Sequence, residues 1–107
     1  MLHFFKKNTQ LSPQEIFDVV QKQGIGFIDV RTVSEYCSGH AKYAKNIPLE
    51  TLSDSIDTLC MFDEVYIICQ SGGRSAQAVA YLQSKSIRAH NVSGGTSVWK
   101  LLGLAME

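Results

Sequence analysis

The sequence has few of the features that would place it in a specialised class of protein. Its 107 residues contain 3 cysteines, an odd number without C-x-x-C spacing, which argues against both a disulfide framework and a tetrahedral zinc site. The 10 basic and 10 acidic residues cancel, so no net charge attracts nucleic acid or anionic lipid. No apolar run approaches the roughly 20 residues that a spanning helix needs. These absences favour a soluble globular domain, with neither nucleic acid nor a membrane among the expected partners.

The length and composition fit one hydrophobic core. A chain of 107 residues buries roughly two-thirds of its extended surface on folding, and a composition that is 45% hydrophobic is too apolar for disorder. There are 2 prolines and 8 glycines, and neither an internal repeat nor a Pro/Gly-rich linker divides the chain. We therefore expect a single domain over residues 1–107.

The amino-terminal residues do not follow the secretory pattern. Lys6 and Lys7 come after a short apolar stretch, whereas a secretory signal begins with its charged residues and continues with a longer apolar region. The cysteine usage also suits a reducing compartment. We expect the protein to be cytoplasmic.

Predicted helices and strands alternate along the chain. Ser12 with Glu15, and Thr32 with Glu35, form capping-box patterns, which favour helix starts at both places. Periodicity predicts helices over about residues 13–23, 31–39, 49–59, 75–83 and 98–105. Short apolar runs predict strands over about residues 25–30, 43–47, 65–69 and 88–92. Strands separated by helices indicate an α/β domain with a mostly parallel sheet, because parallel neighbours require crossover connections.

The strongest strand signal in the chain, V-Y-I-I-C, ends on a cysteine. Before the next helix it is followed by Gln70, Ser71, Gly72, Gly73 and Arg74. Gly72 and Gly73 can adopt backbone angles closed to other residues, which lets successive N–H groups converge on one point. The helix start near Ser75 adds partial positive charge, and Arg74 adds a permanent one. The sequence therefore predicts an anion-binding cradle around Cys69.

Such a cradle changes the chemistry of Cys69. A free thiol with a pKa of about 8.5 is roughly 3% thiolate at neutral pH, whereas a thiol with a pKa of about 6 is roughly 90% thiolate. We expect Cys69 to act as a nucleophile, and the same amides to stabilise a persulfide or an oxyanion bound to its sulfur. Cys37 and Cys60 are expected to be small buried side chains. If Cys37 lies near the loop, a disulfide with oxidised Cys69 is an alternative role for it.

Several motifs together resemble those of the rhodanese-like sulfurtransferases. The segment C-Q-S-G-G-R-S at residues 69–75 is similar to the active-site loop of that family. I-D-V-R at residues 28–31 resembles its first motif, and E-Y, G-H and N-I-P within residues 35–48 resemble its second. V-S-G-G and the following tryptophan, within residues 92–99, resemble its carboxy-terminal motif. The resemblance covers about residues 11–102.

This resemblance implies a fold and an activity. The fold is a small parallel sheet of about five strands, flanked by helices on both faces. Cys69 accepts sulfane sulfur from thiosulfate or a persulfide, becomes a persulfide itself, and passes the outer sulfur to a thiol or to cyanide. The implied substrate-binding residues are Gln70, Ser71, Gly72, Gly73, Arg74 and Ser75.

The implied reaction needs neither a metal nor an organic cofactor. Its expected partners are a small-molecule sulfur donor and a thiol acceptor, and a sulfur-carrier or thioredoxin-like protein is a further candidate. Family members that favour thiosulfate often have an additional basic residue in the loop, whereas residues 70–73 are uncharged here. Because Arg74 is the one loop cation, the resemblance favours a persulfide over thiosulfate as the donor.

Two other functions share parts of this pattern. Cysteine-dependent phosphatases and arsenate reductases also use a loop from cysteine to arginine before a helix, but their loop has five intervening residues, and 4 residues separate Cys69 from Arg74. Some rhodanese-like domains are non-catalytic binding modules, and those usually lack the cysteine. The presence of Cys69 and the shorter loop both favour the sulfurtransferase.

Charged residues near the end of the first strand are expected to support the loop from outside. Asp29 is expected to accept hydrogen bonds from loop amides, and Arg31 is expected to pair with Glu35. His40 is expected to pack and to form hydrogen bonds, because attack by a preformed thiolate requires no base.

Overall fold

A parallel sheet of four strands forms the centre of the computed structural model, which describes residues 10–107. Its strands are β1 (Ile25–Asp29), β2 (Lys45–Asn46), β3 (Glu64–Ile68) and β4 (Ala89–Asn91). Their spatial order is β2-β1-β3-β4, and every pairing is parallel. The predicted α/β class and parallel sheet are confirmed. In the described residues the sheet has four strands where about five were expected.

Short helices connect the strands. They are α1 (Pro13–Val19), α2 (Val33–Cys37), a 3₁₀ helix (Leu49–Ser55), α3 (Ile56–Leu59), α4 (Gly73–Ser84) and α5 (Gly95–Leu101). Both predicted capping boxes form, Ser12 with Glu15 at α1 and Thr32 with Glu35 at α2. The single helix predicted over residues 49–59 is instead a 3₁₀ helix followed by one α-helical turn, and neither segment has a side-chain N-cap. The last helix ends before Gly103, whose positive φ of 72° turns the chain.

Hydrophobic side chains cover both faces of the sheet. Successive side chains of a strand point to opposite faces, so Ile67 and Ile68 of β3 enter different clusters. Ile67 packs with Leu82 of α4 in the first cluster, and Ile68 packs with Trp99 of α5 in the second. All four side chains are fully buried. Helices therefore lie on both faces, as expected.

The two remaining cysteines differ from their prediction. Both Cys37 and Cys60 are exposed, not buried. Cys37 ends α2, a surface helix of five residues none of which is buried, and Cys60 follows α3, where its thiol donates to the carbonyl of Asp57 at 3.2 Å. Their positions at the ends of very short helices, and not their hydrophobicity, determine their exposure.

Within residues 10–107, no helix has the length and apolar character required to cross a membrane. The prediction about the amino-terminal sequence, which rests on Lys6 and Lys7, lies outside the described residues.

Candidate active site

The carboxyl end of β3 delivers Cys69 into a tight loop. Its Sγ accepts a hydrogen bond from the backbone N–H of Gly72 at 3.1 Å and lies 3.2 Å from the hydroxyl oxygen of Ser75. Only 1% of the Cys69 surface is exposed. The sulfur therefore lies at the base of a loop whose amide groups turn toward it, as the sequence predicted.

These contacts favour the thiolate form of Cys69. Burial acts to raise the pKa of the Cys69 thiol, but hydrogen bonds from the Ser75 hydroxyl and from the backbone of Ser75, Gly72 and Ser71 outweigh it and lower the pKa below its usual value. A thiolate is the nucleophilic form of cysteine. The direction of this pKa shift agrees with the expectation, but the contribution that lowers the pKa most, from the Ser75 hydroxyl, was not part of the sequence argument.

Of the two loop glycines, one has a backbone conformation that requires glycine. Gly72 has a φ of +117°, a region that side chains rarely adopt, and it is the N-cap of α4. Gly73 is the first helical residue, and a Cβ built on it meets no atom within 4 Å. The expectation that both glycines provide unusual angles is therefore correct for Gly72 and wrong for Gly73.

Ser75 connects the sulfur to the neighbouring strand. Its hydroxyl oxygen also lies 2.6 Å from Oδ1 of Asn91, so its single proton can be donated either to Sγ of Cys69 or to that oxygen, and the Asn91 amide donates to the carbonyl of Gly72 at 3.3 Å. Asn91 is the last residue of β4, so it lies at the same edge of the sheet as Cys69. The sequence interpretation missed Asn91, although the rule that sites form beyond the carboxyl ends of parallel strands could have indicated it.

The start of α5 holds the opposite side of the loop. The backbone N–H and hydroxyl of Thr96 donate to the carbonyl of Cys69 at 2.8 and 3.0 Å, and the N–H of Ser97 donates to the carbonyl of Gln70 at 3.1 Å. In a trans peptide the C=O and the following N–H point in opposite directions. Carbonyls that face α5 therefore turn the N–H groups of Gln70 and Ser71 toward the loop interior.

This contact also explains a glycine in the carboxy-terminal motif. A Cβ on Gly95, whose φ is +60°, would lie 2.4 Å from the carbonyl oxygen of Cys69. Glycine is thus required for the close approach of α5 to the loop. Neither Gly95 nor Thr96 was assigned to the site from the sequence, because this contact joins segments 26 or more residues apart.

Arg74 is bound by a carboxylate from α2. Its Nη1 donates to Oε1 of Glu35 at 2.8 Å and its Nη2 donates to Oε2 at 3.0 Å. The hydrogen bonds from Arg74, followed by that from the Thr32 backbone, lower the pKa of Glu35 to about 2. The expected pairing of Glu35 with Arg31 is wrong, because Arg74, 39 residues away in sequence, occupies both carboxylate oxygens.

Arg31 instead pairs with Asp29 and reaches the loop itself. Its Nε and Nη2 donate to the Asp29 carboxylate, and its Nη1 donates to the side-chain carbonyl of Gln70 at 3.3 Å. The Gln70 amide in turn donates to the hydroxyl of Ser97 at 2.9 Å. Asp29 therefore supports the loop through Arg31, and the expected hydrogen bonds from loop amides to Asp29 are replaced by this relay.

His40 lies in a packing position. Its ring stacks on that of Tyr36 with centroids 3.6 Å apart, and its Nδ1 is 2.9 Å from the carbonyl oxygen of Tyr36. These contacts are those of a structural residue. The proposed disulfide between Cys37 and Cys69 stays a prediction.

An apolar groove adjoins the loop on the side of Arg74. Its volume is about 570 Å³, within the usual range of small-molecule sites. Its walls include Val30, Leu49, Leu52 and Tyr81, with Glu50 and Arg74 as its charged residues. Thr32 and Gln77 also line it.

Comparisons with known proteins agree with this geometry. The sequence matches the profile of the rhodanese-like domain over residues 12–102. It is 25% identical over 100 residues to the thiosulfate sulfurtransferase GlpE of Actinobacillus pleuropneumoniae serotype 3, covering 92% of this chain and 93% of that one. It is 33% identical over 78 residues to a sulfurtransferase of Allochromatium vinosum, covering 72% and 73% of the two chains.

A solved structure shows the same architecture. The rhodanese-like domain protein of Staphylococcus aureus is 33% identical, superposes with a TM-score of 0.74, and covers 83% of this chain and 88% of its own. The profile match spans the site as well as the fold, from the capping box of α1 to the end of α5. The chain therefore belongs to the rhodanese-like domain family.

Proposed function

We propose that this protein is a sulfurtransferase in which Cys69 carries sulfane sulfur as a persulfide. The observation that supports this most directly is the environment of the Cys69 sulfur, where the Gly72 N–H and the Ser75 hydroxyl favour negative charge. A persulfide places its terminal sulfur, also an anion, beyond Sγ, where the inward amides of the loop can bind it. Relatives named as sulfurtransferases add support.

The first half-reaction loads the cysteine. The Cys69 thiolate attacks the outer sulfur of the donor, a new S–S bond forms, and the bond between the outer sulfur and the rest of the donor breaks. The electron pair of that bond leaves with sulfite when the donor is thiosulfate, or with a thiolate when it is a persulfide. Atoms and charge balance without a metal or an organic cofactor.

The second half-reaction regenerates the thiolate. A thiolate or cyanide attacks the terminal sulfur of the Cys69 persulfide, the sulfur moves to that acceptor, and the electron pair of the broken S–S bond returns to Sγ. The acceptor is a small thiol, or the thiol of a sulfur-carrier or thioredoxin-like protein. The backbone of residues 70–75 forms the proposed binding site for the transferred sulfur, with Asp29 and Arg31 fixing its position.

Mass spectrometry of the intact protein tests the proposal. Incubation with a sulfane sulfur donor is expected to add the mass of one sulfur atom, and cyanide is expected to remove it as thiocyanate. Cys69→Ser is expected to abolish loading, because a serine hydroxyl remains protonated and a poor nucleophile. Cys60→Ser is the matched control, since Cys60 is an exposed thiol outside the loop.

Two results would contradict the proposal. Loading that persists in folded Cys69→Ser protein would place the chemistry on another residue. A wild-type protein that accepts no sulfur from any donor tested would be a binding module, or a phosphatase if it hydrolyses an aryl phosphate.

A further inference from the structure

The charge of the active-site loop is cancelled in the structure. Arg74 is the one charged residue in the segment 69–75. Its two terminal nitrogens each donate to a different oxygen of Glu35, at 2.8 and 3.0 Å, in the bidentate geometry that is strongest for this pair. A substrate that approaches the loop therefore meets the Arg74–Glu35 ion pair. The sequence had suggested a free Arg74 guanidinium instead.

Glu35 is held in this position by a second set of contacts. Its Oε1 also accepts hydrogen bonds from the backbone N–H and the hydroxyl of Thr32, at 3.0 and 3.1 Å. The resulting pKa of about 2 keeps Glu35 ionised at any pH used for an enzyme assay. The carboxylate is thus a fixed negative charge beside the entrance to the loop.

The adjoining groove does not supply the positive charge that the loop lacks. Its two charged residues are Glu50 and the neutralised Arg74, so the local charge is not positive. Thiosulfate is a dianion with three oxygens to solvate, and the groove offers them the neutral hydroxyl and amide groups of Thr32, Ser53 and Gln77 but no unpaired cation among the described residues that line it. In contrast, the apolar walls of Val30, Leu49 and Leu52 suit a carbon group.

We infer that Glu35 makes the Cys69 site selective for low-molecular-weight organic persulfides over thiosulfate, with the apolar groove binding the organic group of the donor. This inference rests on the proposed sulfurtransferase function and deepens it. Glu35 acts on selectivity through Arg74, which is the one residue of the segment 69–75 that lines the groove.

The loading step that this donor class requires is balanced. The Cys69 thiolate attacks the terminal sulfur of R–S–S–H, the bond from Sγ to that sulfur forms, and the bond between the two donor sulfurs breaks. R–S⁻ leaves with the electron pair, and the Cys69 persulfide retains the proton until it passes to R–S⁻ or to solvent. No external oxidant or reductant takes part.

A pair of charge-removing variants tests the role of Glu35. Glu35→Gln keeps the capping-box pattern of α2, because glutamine also accepts at this position, but removes the charge that neutralises Arg74. Glu15→Gln makes the same change in the other capping box, at α1, outside the site. The readout is the ratio of kcat/KM for thiosulfate to kcat/KM for benzyl persulfide.

We expect Glu35→Gln to change the ratio of the two kcat/KM values and Glu15→Gln to leave it unchanged. Glu35→Gln raises the thiosulfate to benzyl persulfide ratio roughly tenfold, because the freed guanidinium attracts the dianion. Glu15→Gln leaves the ratio of the wild type unchanged. An equal ratio in wild type and Glu35→Gln overturns the role of Glu35.

Steric filling tests the groove. Gln77 is exposed on α4 and lines the groove, so Gln77→Trp occupies part of its volume. We expect kcat/KM for benzyl persulfide to fall roughly tenfold more than that for thiosulfate. Ala76→Trp adds the same bulk at an exposed position of α4 outside the groove lining, and it leaves the ratio unchanged. Equal losses for both donors in Gln77→Trp overturn the groove assignment.

The outcomes separate this inference from the proposed function. If no donor loads Cys69 in the wild type, the sulfurtransferase proposal itself fails. If thiosulfate loads wild-type protein as efficiently as benzyl persulfide does, the function stands and the selectivity is wrong. If a protein persulfide loads Cys69 and benzyl persulfide does not, the site serves a macromolecular donor and the inference about small organic persulfides is overturned.

Discussion

Two ion pairs border the loop around Cys69, and they differ in burial. The Arg31–Asp29 pair is buried, with side chains 4% and 0% exposed. The Arg74–Glu35 pair is at the surface, with side chains 38% and 34% exposed. Both pairs use bidentate geometry, and Arg31 also donates to Gly39 and Gln70, so the two pairs differ in burial and in these further contacts.

Because of this difference in burial, we assign the buried pair to holding the loop in place and the exposed pair to the choice of sulfur donor. Removing one partner of a buried pair leaves an uncompensated charge and costs several kcal/mol, whereas an exposed pair contributes about 1 kcal/mol or less. Arg31 and Asp29 are therefore part of the framework that fixes the loop. Glu35 can change the charge at the entrance with little effect on folding.

The largest expected effect comes from the buried pair. Asp29→Asn keeps the size of the side chain but leaves the Arg31 guanidinium without its counter-charge. We expect the free energy of unfolding to fall by about 3–5 kcal/mol, measured by urea denaturation followed by circular dichroism. A loss below about 1 kcal/mol would mean that the two pairs do not differ as their burial indicates.

A double variant separates the pair from its individual charges. Asp29→Leu combined with Arg31→Met replaces both charges with apolar groups of similar size, which is often close to neutral for a buried pair. The double variant is expected to be more stable than Asp29→Asn, although it loses the contacts of Arg31 with Gly39 and Gln70 and the hydrogen bond from the backbone N–H of residue 31 to Asp29. A double variant less stable than the single one would assign the stability to those contacts.

The glycines of the loop provide the next effect. Gly72→Ala places a side chain at a φ of +117° and is expected to cost about 1–3 kcal/mol, whereas Gly73→Ala is expected to change stability by less than about 1 kcal/mol. Urea denaturation of the two variants measures both values. Equal losses of stability in the two variants would show that the loop tolerates a side chain at the positive φ of residue 72. The loop would then be less rigid than the buried Arg31–Asp29 pair behind it.

The sequence allowed us to predict those parts of the molecule that are specified by residues close to one another along the chain. Neighbouring residues specify the strand before Cys69 and the capping boxes of α1 and α2, and the boxes form as expected, while the strand covers Glu64–Ile68 where residues 65–69 were predicted. The Gly72 amide that donates to Cys69 follows from the same local pattern, whereas the N–H groups of Gln70 and Ser71 are oriented by the contact with α5.

The sequence did not indicate which residues that are distant along the chain contact one another. Glu35 is four residues from Arg31, a spacing that suggests a local pair, but it meets Arg74 only after β1 and β3 align in the sheet. Asn91 and Thr96 also reach the loop from other elements. Such contacts depend on strand order and register, which the periodicity of one sequence does not determine.

A smaller effect is expected on the reactivity of Cys69. Ser75→Ala removes the hydroxyl beside Sγ, so the pKa of Cys69 rises and the pH midpoint for alkylation by iodoacetamide moves upward. At neutral pH the alkylation rate falls several-fold. Ser71→Ala is the control, since the Ser71 side chain is exposed and Ser71 favours the thiolate through its backbone. An unchanged midpoint in Ser75→Ala would leave the backbone amides as the sole source of thiolate stabilisation.

The smallest effect concerns the stability of the exposed pair. Because Arg74 and Thr32 lower the pKa of Glu35 from 4.5 to about 2, its ionised form stabilises the fold. This contribution is complete above about pH 4.5 and is lost as the pH falls toward 2. Solvent screening limits it to about 1 kcal/mol or less, since both side chains are about one-third exposed. Glu35→Gln should therefore lower the free energy of unfolding slightly at pH 7, and this difference from wild type should shrink between pH 4.5 and 2. A difference of several kcal/mol at pH 7 would place Glu35 with Asp29 in the framework of the loop, and its effect on donor selectivity would then be inseparable from folding.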